Sequence, residues 1–186
     1  MRAPARVLLS PLPSFLSPAF QRYDAAMTTN MPVRLWTWTA DGLLASPGGW
    51  ASLDAQSLEL PEGVYTTLRT YGGRRIVGLG DHLRRLAESA RLTGAGCALD
   101  FAWLRVGLRK VLAAADLAET RLRITVPPAC DHVLFGLEAF APYPGHLYTV
   151  GAACASSGLA RDNPRAKTTH FIPSASQARA GLAPGV

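Results

Sequence analysis

The sequence predicts an α+β fold: a domain of antiparallel strands and two helices, then the incomplete start of a second domain. Three observations carry this. Alternating segments joined by glycine-containing turns come first, at 34–45 and 63–79. The apolar period then lengthens from two to about 3.6 residues over 80–94 and 100–117. Alternation returns at 121–126 and 132–140, after which APYPG (141–145) breaks any element.

Taken in order, RLWTWTADGLLA (34–45) reads as a hairpin around Asp41-Gly42. Trp36 and Trp38 share one face, and Leu35, Thr37 and Thr39 the other. GVYTTLRTYGGRRIVGL (63–79) is a second hairpin with Gly72-Gly73 as a two-residue loop. Alternation sets Tyr65, Thr67, Arg69 and Tyr71 on one face, opposite Val64, Thr66, Leu68 and Thr70. In 80–94, Leu83, Leu86, Ala87 and Ala90 fall at helical spacing, with Asp81 as N-cap and Gly94 as stop. In 100–117, Asp100 caps a stripe of Phe101, Leu104, Leu108, Val111, Leu112 and Ala115. After the linker, HLYTVGAACASS (146–157) reads as a new strand, and a loop leads to Lys167. The expected divisions are an extension or mis-assigned start at 1–33, an N-terminal α+β domain at 34–142, and the beginning of a C-terminal domain at 143–186.

Composition narrows function. A net charge of +6 and a pI of about 9.7 suit an anionic partner, but no run of five or six basic residues forms a polybasic arm. Aromatic and arginine residues do not gather on one predicted face, so a basic nucleic-acid-binding domain is disfavoured. No uninterrupted apolar stretch reaches about 18 residues, which argues against an ordinary spanning helix. Cys97, Cys130 and Cys154 match no metal spacing and read as idle thiols of a reducing, cytoplasmic setting.

RDNPRAKTTHF (161–171) holds one of only two lysines, Lys110 and Lys167, among 19 basic residues. Arginine stays protonated, whereas a lysine amine can lose its proton and attack a carbonyl. Arg161 and Arg165 beside it would aid that by like-charge repulsion. Arg85 points away from the apolar stripe of its helix, toward a side it shares with Leu92. Arg84 and Arg91 read as solvated partners of Glu88, and His82 and His170 as structural polar contacts.

GVYTTLRTYGG, DHLRRLAESARLTG and RDNPRAKTTHFIPSASQARA, in that order, resemble the fold-type IV pyridoxal-phosphate enzymes. These are the class IV aminotransferases, which include branched-chain and D-amino-acid aminotransferases and aminodeoxychorismate lyases. The resemblance runs from about residue 34 onward. It implies that Lys167 binds pyridoxal 5'-phosphate covalently and then shuttles a substrate proton. It implies that Arg85 holds the cofactor phosphate with its charged fork. Tyr65 and Arg69 match positions that line the substrate pocket.

This chain departs from the family pattern at Thr66, where many members carry glutamate, and at His170, where asparagine is frequent. The family's second half also supplies a glutamate for the pyridine nitrogen and a loop completing the phosphate cup, and these lie beyond the matched stretches. The expected function is amino-group transfer between an amino acid of branched-chain or D type and a 2-oxo acid, with the 186 residues inactive by themselves and 146–186 poorly packed. The alternatives are pyruvate elimination from aminodeoxychorismate, or a truncated product without catalysis. Family members pair as homodimers, so the full-length form is expected to do so, without nucleic acid or membrane as partner.

Overall fold

The computed structural model describes residues 31–182 except 96–97, 141–144 and 153. β1 (Val33–Thr39) and β2 (Gly42–Trp50) make the first hairpin through Asp41-Gly42, as the alternation predicts. α1 (Leu53–Glu59) follows and has no counterpart in the sequence reading. Ser52 caps it, its Oγ accepting from Ala55 N–H at 3.1 Å. β3 (Val64–Tyr71) and β4 (Arg75–Ile76) form the second hairpin. Its loop takes in Arg74 beside Gly72 and Gly73, because Tyr71 pairs with Arg75; both glycines adopt positive φ.

α2 (Leu79–Leu92) starts one turn earlier than expected. Gly78 is its N-cap in a left-handed conformation, and Asp81 lies inside the first turn, paired with Arg84. α3 (Phe101–Ala115) is capped as predicted, Asp100 accepting from Ala102 and Trp103 N–H. β5 (Thr120–Val126) and β6 (Val133–Ala139) complete a six-stranded antiparallel sheet in the order β2-β1-β6-β5-β3-β4. The described residues of 146–157 form no strand, contrary to the expectation. α4 (Gly145–Val150) is a single exposed helical stretch, and the described residues after it up to 160 have no regular structure. The first four linker positions, 141–144, lie outside the described residues. A 3-10 turn (Thr169–Phe171) leads into α5 (Ile172–Ala180).

The period of two gives the sheet two unlike faces. Trp36, Phe135, Ile124 and Thr66 stand in one row across β1, β6, β5 and β3, and α2 and α3 cover that face. Phe135, Leu122, Ile124 and Leu137 are fully buried there with Leu83, Leu86, Leu104 and Val111. Gly107 lets Trp38 lie against α3, since a Cβ there would come within 2.7 Å of the indole. The opposite face carries Leu35, Gly136, Arg123 and Thr67 in its equivalent row. α1 closes over part of it, next to Gly136, where a Cβ would meet Gln56 Oε1 at 2.0 Å. Asp54 ties α1 to α5 through Arg179. Among the described residues no helix is long and apolar enough to cross a membrane. Cys130 is disulfide-bonded, which corrects the expectation of three idle thiols, while Cys154 is a free, exposed thiol.

Candidate active site

Lys167 is built into the sheet edge by its backbone. Tyr65 N–H donates to Lys167 C=O at 2.9 Å, and Thr169 N–H donates to Gly63 C=O at 2.9 Å. Val64 and Thr168 form an antiparallel bridge between these bonds. On the other side Lys167 N–H donates to Ser89 Oγ at 3.1 Å, and that hydroxyl donates to Arg85 C=O at 2.9 Å. The segment 166–169 is therefore wedged between the start of β3 and the C-terminal half of α2. Residues 82, 85 and 89 recur at i, i+3 and i+7, so one flank of α2 faces this segment.

The lysine side chain rests on Tyr65, with Nζ 4.8 Å from the ring centroid. A ring face favours the charged amine. Burial opposes it, and Arg85, Arg123, Arg161 and Arg121 add repulsion in that order, so the Lys167 pKa falls from 10.5 to about 8. His82, whose Nδ1 lies 3.0 Å from Thr66 Oγ1, is pushed down as well, by burial and then by Arg85 and Lys167. With a pKa of about 8 the Lys167 amine is neutral in roughly a tenth of molecules at pH 7, far more than an ordinary lysine, which a nucleophile needs.

Tyr65 is nearly buried and touches the lysine, and Arg85 is exposed on α2 and supplies the strongest of the repulsive charges. Arg69 shares the Tyr65 face but sits four residues along the strand, roughly 13 Å away. Its Nε and Nη2 both donate to Glu119 Oε2, at 3.2 and 2.6 Å, and its guanidinium stacks on Tyr71 and Phe140. Arg161 is among the charges acting on the amine, while Arg165 pairs with Glu88, taking the place expected for Arg84 or Arg91. His170 contacts Glu62 at 3.1 Å, a structural polar contact as expected.

Residues 63–180 match the model of the family described as amino-transferase class IV. The chain belongs to that family. Two solved structures are similar to it. One is a protein provisionally assigned as a 4-amino-4-deoxychorismate lyase, 31% identical, with a TM-score of 0.54, over 75% of this chain and 57% of the other. The second is a protein from Thermotoga maritima provisionally assigned as a branched-chain amino acid aminotransferase, 24% identical, with a TM-score of 0.44, over 59% of this chain and 39% of the other. This chain thus spans well under two thirds of both. A search of the curated proteins finds no match.

For a class IV chain, the face around Lys167 is more arginine-rich than the motifs alone indicate. Arg121 and Arg123 alternate on β5 on the same side as Tyr65. Their spacing in TRLRITV was the available signal: two charges on one face of an otherwise apolar strand. A cavity of about 480 Å³ opens on the reverse side of the lysine segment, between Val64, Leu92, Ala166, Thr168 and Phe171. Lys167, Tyr65 and Arg85 do not line it, because Ala166 and Thr168 project from the opposite side of their segment.

Proposed function

We propose that this chain carries the lysine-bearing part of a pyridoxal-phosphate enzyme that moves an amino group between an amino acid and a 2-oxo acid. The observation that supports it most is the Lys167 amine, depressed to about 8 and set among arginines. The cofactor needs an amine that can lose its proton and cations that can take a phosphate dianion. Lys167 and Arg85 fit those two needs: Lys167 would hold the aldehyde carbon and Arg85 the phosphate. When bound, the cofactor supplies an electron sink for the bond broken at the amino acid's α-carbon. The chain's own residues do the rest. Lys167 would also take and return the α-proton at Nζ. Tyr65 orients the amine, which rests on its ring. Arg85, Arg121 and Arg161 give a positive field that draws in anionic amino and oxo acids.

In this reading Tyr65 and Arg69 border the substrate pocket, with a branched-chain or D-amino acid as amino donor. The division at 142/143 and pairing as a homodimer belong to the same proposal. A second reading, elimination of pyruvate from aminodeoxychorismate, is favoured by the 31% identical neighbour. Both readings start from the same lysine.

The test is borohydride trapping. Protein incubated with pyridoxal phosphate is reduced, digested and mapped. Label on Lys167, lost in Lys167→Arg and kept in Lys110→Arg, is the expected result. Label on Lys110, or none in folded protein, overturns the proposal. Pyruvate released from aminodeoxychorismate, in place of amino exchange, selects the second reading.

A further inference from the structure

Arg123 contacts no group of the proposed chemistry except through an aromatic ring, yet it is among the most deeply buried charges described, at 3% exposure. A buried guanidinium is tolerated only where its N–H groups are satisfied. Here Nη1 donates to Leu53 C=O and to Ser57 Oγ, both at 2.6 Å, and Nη2 donates to Asp54 Oδ1 at 2.6 Å. Nε reaches Thr67 Oγ1 at 3.5 Å. The three short bonds all come from α1. That helix can approach because residue 136, beside Arg123 on β6, is glycine. Asp54 is shared: its other oxygen takes Arg179 of α5, the helix that follows the lysine. Burial would raise the Asp54 carboxyl, but Arg123 and Arg179 together hold it below its usual value.

The Arg123 guanidinium carbon lies 4.8 Å from the Tyr65 centroid, the same distance as Lys167 Nζ. One ring thus bears both the anchored arginine and the lysine. Guanidinium groups stack well on aromatic faces, and this one cannot move without breaking its bonds to α1.

We propose that Arg123 is a positioning residue: clamped by α1, it fixes the Tyr65 ring on which the Lys167 side chain rests. This rests on reading Lys167 as the reactive amine, and it adds the residue that sets its place. The charged and titratable groups facing that amine are Arg85 and His82 from α2, Tyr65 from β3, Arg121 and Arg123 from β5, and Arg161 from the preceding loop. Of these, Arg123 is the charge that is both buried and in contact with the ring.

The two-lysine composition makes a cofactor-free test simple. Reductive methylation with 13C-formaldehyde labels Lys110 and Lys167, and NMR follows both through a pH titration. Lys110 sits over Trp38, with Nζ 5.1 Å from the ring, and reports whether the sheet and α3 stay folded. Tyr65→Leu defines the Lys167 signal without its ring. In Arg123→Met the Lys167 signal should move toward the Tyr65→Leu position and its midpoint should rise from about 8 by roughly one unit. Lys110 should not change. A folded Arg123→Met protein in which Lys167 keeps its ring-shifted position overturns the proposal. It does so even if the midpoint rises, because the arginine would then act as a charge alone. If Arg123→Met does not fold, Asp54→Ala decides: a Lys167 signal displaced the same way upholds the clamp, and an unmoved one overturns it. Borohydride trapping stands apart from both outcomes. Failure to trap Lys167 with the NMR shifts intact removes the cofactor reading and leaves the clamp, and the reverse result removes the clamp alone.

Discussion

The two faces of one sheet have opposite chemistry although the same strands build both. On the helix side, β5 shows Leu122, Ile124 and Val126; on the other side it shows Arg121, Arg123 and Thr125. β3 likewise turns Val64 and Leu68 toward the helices and Tyr65 and Arg69 away. The first face is a dry core that fixes the register, because a slip of one residue would bury arginines under α2 and α3. The second mixes charged and aromatic side chains, Arg123 and Tyr65 among them buried, on that rigid support. Most of the stability is lodged on one side of the backbone, while the candidate chemistry gathers Tyr65, Arg121 and Arg123 from the other side with one flank of α2 at the sheet edge.

That division predicts effects of different size and kind. Phe135→Ala, in the centre of the helix face, should lower stability by about 3–5 kcal/mol, read by denaturant unfolding. Arg85→Ala, on the flank of α2 that faces Lys167, should leave stability close to unchanged and weaken cofactor binding by about 10- to 150-fold, for a loss of roughly 1.5–3 kcal/mol. Arg84→Ala, one residue away and paired only with Asp81 on the surface, should have little effect on either. Equal losses of cofactor affinity from Arg84→Ala and Arg85→Ala would erase the distinction between the two flanks of α2.

A different kind of effect is a pH dependence. Folding lowers the Lys167 pKa from 10.5 to about 8, so between those values the unfolded chain binds a proton that the folded chain has released. Stability therefore gains with rising pH through that window. Unfolding midpoints of the unaltered protein and of Lys167→Met, compared from pH 7 to 10, should diverge in this sense, with the variant flatter. Parallel curves would mean that the fold does not hold the amine in a desolvated, cation-rich setting.

Much of the helix face was legible in the sequence, because it is written in local periodicity. Asp100 caps α3 as its spacing indicates, and the Trp36/Trp38 alternation matches the sheet. α1 was not legible. It is seven residues long, and two of the residues it buries, Gln56 and Ser57, are polar ones that read as loop. The start of α2 was misplaced because Gly78 caps it through backbone conformation and leaves no side-chain mark. The stretch 146–157 alternates like a strand, yet its described residues have no strand partner, and the first of them form the helix α4 instead. The site divides in the same way. Lys167 stands out by rarity and motif, whereas the role of Arg123 depends on α1 residues some 70 positions earlier in the chain. No local pattern reports such a contact.

The central claim is that burial, reinforced by the surrounding arginines, makes Lys167 the reactive amine, and a pH–reactivity profile tests it most directly. The folded protein is treated with a limiting amount of an amine-directed reagent across pH, and peptide mapping separates Lys167 from Lys110. The account predicts that the Lys167 rate rises with an inflection at about 8. An inflection at the ordinary lysine value of 10.5 would contradict it.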